Sequence, residues 1–120
     1  MIDKNCIFCK IGQGIIDSKK YFENDNFLAF FDINPISKNH LVVISKNHYA
    51  DIGEMSDEEW CQFMNTSRIL AEKLIKEINA DGYNLLINQG QAAESAIEHR
   101  PHLHVIPRFF NDNIKLDPRN

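Results

Sequence analysis

Short apolar runs separated by polar turns fill much of the chain, and one long segment with helical spacing lies near its middle. Lys19 to Asn24 reads as a short strand, Asp25-Asn26 as a polar turn, and Phe27 to Ile33 as a second strand, so the pair predicts a hairpin. Pro35 breaks the loop from Asn34 to Asn39. Leu41-Val42-Val43-Ile44, mostly β-branched, predicts a buried third strand. Ser56 then sits three residues before Glu59, a capping-box spacing, with Asp57 and Glu58 suited to the positive end of a helix dipole. Trp60, Phe63, Met64, Ser67, Leu70, Leu74 and Ile78 follow at helical spacing and form one core-facing stripe. Asn79 to Gly82 ends the helix, and Tyr83 to Asn88 predicts a fourth strand. A polar loop leads to a last strand that ends near Phe110, and the tail from Asn111 to Asn120 is polar and irregular. Hairpin, strand, helix, strand, strand predicts an α+β fold: a mainly antiparallel sheet with one long helix on a face, as a single domain over residues 1–120.

Composition narrows the function classes. The 120 residues are 43% hydrophobic and 25% charged, values of a globular rather than a disordered chain. A net charge of −4 argues against nucleic acid as a partner, since that binding needs clustered Lys and Arg. A small phosphate ligand needs only a local positive site. The longest apolar run, Phe27 to Phe31, is too short to span a membrane, and Met1 to Asn5 does not resemble a signal peptide. A cytoplasmic protein with reduced cysteines is the expectation.

Candidate chemistry gathers on histidines and cysteines. His102 and His104 are two apart in a strand, so both project from one face while Leu103 and Val105 point to the core. One imidazole can attack or move a proton while the other binds a phosphate oxygen or orients the first. Taken alone, such a pair is a weak motif and reads better as a satisfied polar pair on a half-exposed strand, or as an adventitious metal contact. Cys6 and Cys9 form a Cys-x2-Cys pair, half of a common zinc site, whose remaining ligands would have to be histidines because no second cysteine pair exists. The bland alternative is an unmetallated pair packed under the N-terminal turn. A redox role fits less well, because the pair does not follow a strand and open a long helix.

Five stretches together raise these motifs. Cys6 to Ile11, Leu28 to Ile33, His40 to Ile44 with Lys46 and His48, Asn88-Gln89-Gly90, and His102 to Arg108 are ordered and spaced so that the chain resembles the histidine triad superfamily of nucleotide hydrolases and transferases. It is similar to the short bacterial-type branch, near the phosphoramidate hydrolases, in its zinc-containing variant. The resemblance implies that His102 attacks an α-phosphorus to form a nucleotidyl-histidine. It implies that His104 binds phosphate oxygen, and that His40 joins the histidine network behind the nucleophile. Asp32 would hold ribose hydroxyls, Ile33 would lie against the base, and Asn88 would lie near the phosphate and leaving group. Zinc would sit on Cys6, Cys9, His48 and His99 in a closed structural site, and the protein would be a homodimer. Lys46 and Arg108 could contact phosphates, although solvated surface charge is the commoner role for such residues.

Two departures from the family pattern stand out. His99 lies three residues before His102 rather than two, an extra residue that a β-bulge at Arg100-Pro101 would absorb. Glu94-Ser95-Ala96 stands where the family has a Gly-Gln-Ser-like run, so Ser95 is the expected phosphate hydroxyl and Glu94 an unfavourable charge beside an anion. The leading expectation is an enzyme cleaving nucleoside phosphoramidates or dinucleoside polyphosphates. The alternatives are a purine-nucleotide-binding module with little turnover and a zinc-binding structural protein.

Overall fold

The computed structural model describes residues 2–93 and 97–116. Its elements are α1 (Ile7–Gly12), β1 (Lys20–Glu23), β2 (Phe27–Phe31), β3 (Leu41–Ser45), α2 (Asp57–Ile78), β4 (Gly82–Ile87) and β5 (His102–Arg108). Short 3-10 turns lie at Ile52–Glu54 and Gln91–Ala93. The strands form one five-stranded sheet in the order β1-β2-β3-β5-β4, antiparallel at each described pairing. The α+β expectation is met, and the strands follow the predicted ones with ends shifted by up to three residues, the largest shift being at the start of β5. The short helix α1 was not predicted. Ser95, with Glu94 and Ala96, lies outside the described residues.

Strand parity splits the core in two. Phe27, Ala29, Leu41, Val43, Leu103 and Val105 pack with Phe63, Leu70, Ala71 and Leu74 of α2. Leu28, Phe30, Val42 and Ile44 point the other way and pack under Phe8 and Ile11 of α1. The alternation of side chains along a strand produces both layers from the same runs. His102 and His104 fall on the α1 face, opposite Ile44 and Val42 of β3. Two imidazoles are therefore held in an apolar wall rather than in water.

The long helix begins as its cap predicts, with Ser56 Oγ accepting the Glu59 amide at 3.1 Å. It ends at Asn79, which takes the left-handed conformation that asparagine tolerates (φ 56°). The reciprocal half of the predicted capping box does not form. The Glu59 carboxylate instead accepts from Tyr49 Oη at 2.6 Å and Ser45 Oγ at 3.1 Å, tying the helix start to the end of β3. A complete capping box occurs where none was predicted, between Asp51 and Glu54. Trp60 is half-buried and stacks on Phe63, and Cys61 is exposed. None of the described helices is long and apolar enough to cross a membrane.

The expected β-bulge is absent. The turn at Arg100-Pro101, whose peptide bond is cis, precedes β5, which pairs with β3 from His102 to Val105 without a register break. His99 thus lies outside the strand, and its ring is free to face a different set of partners from His102 and His104.

Candidate active site

His102 and His104 line a cleft of about 440 Å³ on the α1 face. Its walls come from α1, the segment after it, the end of β2 and the turn beyond, including Ile11, Ile16 and Phe30. Asp32, Ile33 and Asn88 share this cleft, so the structure brings together five residues singled out from the sequence. Ile33 is 90% exposed at the rim. His40 is buried behind the cleft and reaches it through His104. Lys46 and Arg108 are engaged elsewhere: Lys46 pairs with Glu23 at 2.7 Å, and Arg108 holds Asp112 at 2.8 Å and Asn84 at 2.9 Å.

The hydrogen bonds assign a proton to each ring. A carbonyl can only accept, so the 2.8 Å contact between His102 Nδ1 and the His99 carbonyl places a proton on Nδ1. Neutral His102 then carries its lone pair on Nε2. The Ile36 amide donates to His40 Nδ1 at 3.1 Å, which leaves the His40 proton on Nε2. That Nε2–H donates to His104 Nδ1 at 2.9 Å, so neutral His104 carries its own proton on Nε2. The site thus offers one ring nitrogen with a lone pair and one with a proton. Burial holds all three imidazoles below their ordinary pKa. For His104 burial comes first, then the neighbouring His40 and His102, and its pKa falls to about 4. Asp32 accepts the Asn34 amide at 2.9 Å and lies 3.8 Å from His40 Nε2.

A second cluster lies beside the first. Cys6, Cys9, His48 and His99 bring one ligand atom each to within 4.8 Å of one another. Cys6 Sγ is 3.2 Å and Cys9 Sγ 3.4 Å from His99 Nδ1, and Cys9 Sγ is 3.5 Å from His48 Nδ1. A tetrahedral zinc ion would hold such atoms roughly 3.4–3.8 Å apart, so the donor set fits the ion in type and spacing. The tautomer fits too: His99 Nε2 donates to the Ser45 carbonyl at 2.6 Å, which leaves the Nδ1 lone pair toward the cysteines. Burial is the largest cause raising the Cys9 pKa, and a cation at the centre would reverse that. Asp32, His40 and His104 also converge within 4.8 Å. There the Ile36 amide occupies the His40 lone pair and turns an N–H toward the partners, so that trio is built for a proton rather than a metal.

The residues sequence reasoning missed are those whose contribution is not a side-chain type. The carbonyls of His99 and Ser45 and the amide of Ile36 set the ring protons, and no one-letter pattern marks a backbone group. Phe8 was quoted within its motif but given no task, and its ring packs edge-on against His102 with centroids 5.2 Å apart.

The chain is similar to known proteins in sequence and in fold. An uncharacterised HIT-like protein of Methanocaldococcus jannaschii is 42% identical over 107 residues, 89% of this chain and 81% of that protein. An adenosine 5'-monophosphoramidase of Schizosaccharomyces pombe is 41% identical over 104 residues, 87% of this chain and 74% of its own. The crystal structure of a zinc-bound histidine triad family protein of Mycobacterium smegmatis superposes with a TM-score of 0.85 at 34% identity, over 94% of this chain and 83% of that one. The HIT domain family model matches residues 13–111, and with that match the chain belongs to the histidine triad, or HIT, domain family.

Proposed function

We propose that this protein is a nucleotide hydrolase or nucleotidyl transferase that cleaves at the α-phosphate of a nucleoside phosphoramidate or a dinucleoside polyphosphate. The observation that carries the reading is the ring assignment at His102: Nδ1–H bound to a carbonyl, with the Nε2 lone pair left for chemistry in the cleft. His102 Nε2 attacks the α-phosphorus, and the bond from phosphorus to the leaving nitrogen or oxygen breaks. The leaving group departs with the electron pair and takes a proton from water. The His104 Nε2–H donates to a phosphoryl oxygen, supported from behind by His40. A water molecule then attacks the phosphorus of the nucleotidyl-histidine, the P–Nε2 bond breaks with its electron pair returning to Nε2, the water's proton neutralises the hydroxide left by the first step, and the nucleoside monophosphate is released. Asp32 holds the ribose hydroxyls, Ile33 covers the base, and Asn88 faces the phosphate; a phosphate hydroxyl from Ser95 is assigned by the family resemblance alone. Similarity to an adenosine 5'-monophosphoramidase supports the substrate class.

In the same reading Cys6, Cys9, His48 and His99 hold zinc, which when bound supplies a cross-link between α1, the segment after β3 and the segment before β5. The chain pairs as a homodimer. β4 is an edge strand of the sheet and its Leu85 is 42% exposed, a surface that a second copy would cover.

The test is intact-mass detection of a nucleotidyl adduct in enzyme quenched during turnover, mapped to one residue. An adduct on His102 is expected. Tight AMP binding with neither adduct nor hydrolysis across a substrate panel would make the protein a binding module instead.

A further inference from the structure

The cleft has a polar end that the chemistry at His102 does not use. His104, Val42, Phe30 and Lys20 pair in one row across β5, β3, β2 and β1. The row covers three strand spacings, about 14 Å. Val42 and Phe30 line the cleft between the histidines and β1. The pairing runs on past Lys20, since the Phe31 amide donates to the Lys19 carbonyl at 3.0 Å. It carries Asp17 and Ser18 to the far wall of the cleft, on the side of Asp32 and Ile33. Ile11, Ile16 and Phe31 make the rest of that wall apolar.

The protein satisfies neither polar side chain. The Ser18 hydroxyl oxygen is buried and has no hydrogen-bond partner among the described residues. The Asp17 carboxylate is exposed and, among the described residues, makes no hydrogen bond or ion pair. An exposed carboxylate needs no partner but water. A buried hydroxyl does, because it has given up its bonds to water without replacing them. The hydroxyl sits on one rotatable bond, so a ligand that offers an acceptor can turn it from the wall into the cleft. Asp17 and Ser18 are neighbours in the chain and open on the same cleft, so one edge of one ligand can meet both.

With the phosphorus at His102 and the ribose at Asp32, the base lies toward this wall and turns its outer edge to Asp17 and Ser18. The pair offers a definite pattern: a carboxylate only accepts, and a hydroxyl can donate. Guanine carries the matching edge, with N1–H and N2–H as adjacent donors and O6 as the acceptor beside them. Adenine carries one donor, N6–H, and a lone pair at N1 that a carboxylate repels. We propose that Asp17 and Ser18 select guanine over adenine: the carboxylate accepts N1–H and N2–H, and the Ser18 hydroxyl donates to O6. The preferred substrate is then a guanosine phosphoramidate or a guanosine-containing polyphosphate. This inference rests on the nucleotidyl-histidine reading above, which sets where the phosphorus and the ribose lie.

The experiment measures kcat/KM of the zinc-loaded protein for guanosine, inosine and adenosine 5'-phosphoramidates, and Kd for GMP, IMP and AMP by calorimetry. Inosine keeps N1–H and O6 and lacks the N2 amine. Wild type is expected to favour guanosine over adenosine by about tenfold or more, with inosine between them. Asp17→Ala should bring guanosine and inosine to within about twofold of each other, because only Asp17 meets N2. Ser18→Ala should lower guanosine and inosine alike and keep the gap between them, because only Ser18 meets O6. Asp17→Asn, which turns one acceptor into a donor, should move the preference toward adenosine by about tenfold. Each comparison is a ratio taken within one protein, so a loss of folded protein cancels. A wild-type ratio near one or in favour of adenosine overturns the proposal, and so does a guanosine preference that survives both Asp17 variants. Failure of the reading it rests on looks different: no substrate would leave an adduct on His102, while GMP would still bind more tightly than AMP.

Discussion

Two histidine clusters occupy neighbouring places in this fold and share a residue type, yet their hydrogen bonds prepare them for different chemistry. In the Cys6, Cys9, His48, His99 cluster, a carbonyl on the far side of His99 turns a lone pair inward, toward two thiols. In the His40, His104 pair, an amide on the far side of His40 turns a proton inward, and a relay of N–H groups results. The contrast teaches that histidines near one another do not announce a metal site. The group behind each ring decides, because an imidazole with a donor at its back must show a proton at its front. His102 stands between the two. Its back faces the His99 carbonyl, so it shows a lone pair, but toward the cleft rather than toward thiolates.

The largest expected effect comes from the residue at that boundary. His102→Ala should lower kcat by at least about 10^4-fold, since no other ring in the cleft presents a lone pair, and steady-state kinetics with a phosphoramidate would measure it. Retained turnover would erase the distinction drawn between His102 and His104. Removing zinc should act on the other cluster first. With free zinc about a thousandfold above its dissociation constant, stripping the ion should cost about 4 kcal/mol of stability, seen as a lower midpoint in calorimetry that zinc alone restores. His40→Ala should leave zinc content and the midpoint of metal release unchanged. It should lower kcat about a hundredfold by freeing His104 to turn, and added zinc should not rescue it. Asp32→Asn should be milder, raising KM about tenfold through loss of a charged hydrogen-bond acceptor while kcat stays close to wild type.

The smallest effect concerns pH. Burial, and then the neighbouring His40 and His102, lower the His104 pKa to about 4, below the ordinary imidazole value of 6.5, so between those limits the unfolded chain binds the proton and the folded chain does not. Stability from this group is complete above about pH 6.5 and declines as pH falls toward 4. Burial of His40 shifts it in the same direction. Denaturant titrations between pH 4 and 8 should show that decline. In His104→Ala the slope of stability against pH should be shallower.

Much was legible in the chain because it depends on local periodicity. The apolar strand run that begins at Phe27, the capped stripe from Ser56 to Ile78 and the same-face relation of His102 and His104 are consequences of strand and helix geometry, which neighbours in sequence determine. Where the local reading failed, tertiary partners had displaced it. Glu59 has the right spacing for a capping box but finds Tyr49 and Ser45. The extra residue before His102 suggested a bulge within the strand, whereas the chain turns before the strand starts and commits His99 to the cysteines.

By itself the sequence determined the α+β fold class, the pair of residues that face the cleft and the residue types fit to hold a soft divalent ion. Only the tertiary structure decided which nitrogen of each ring carries its proton. That choice rests on a carbonyl of residue 99, a carbonyl of residue 45 and an amide of residue 36, and the latter two reach their rings from segments distant in the chain or across a loop. Backbone groups are the same at every position in a sequence. Their direction in space is what distinguishes a nucleophile from a ligand, and direction is a property of the folded chain.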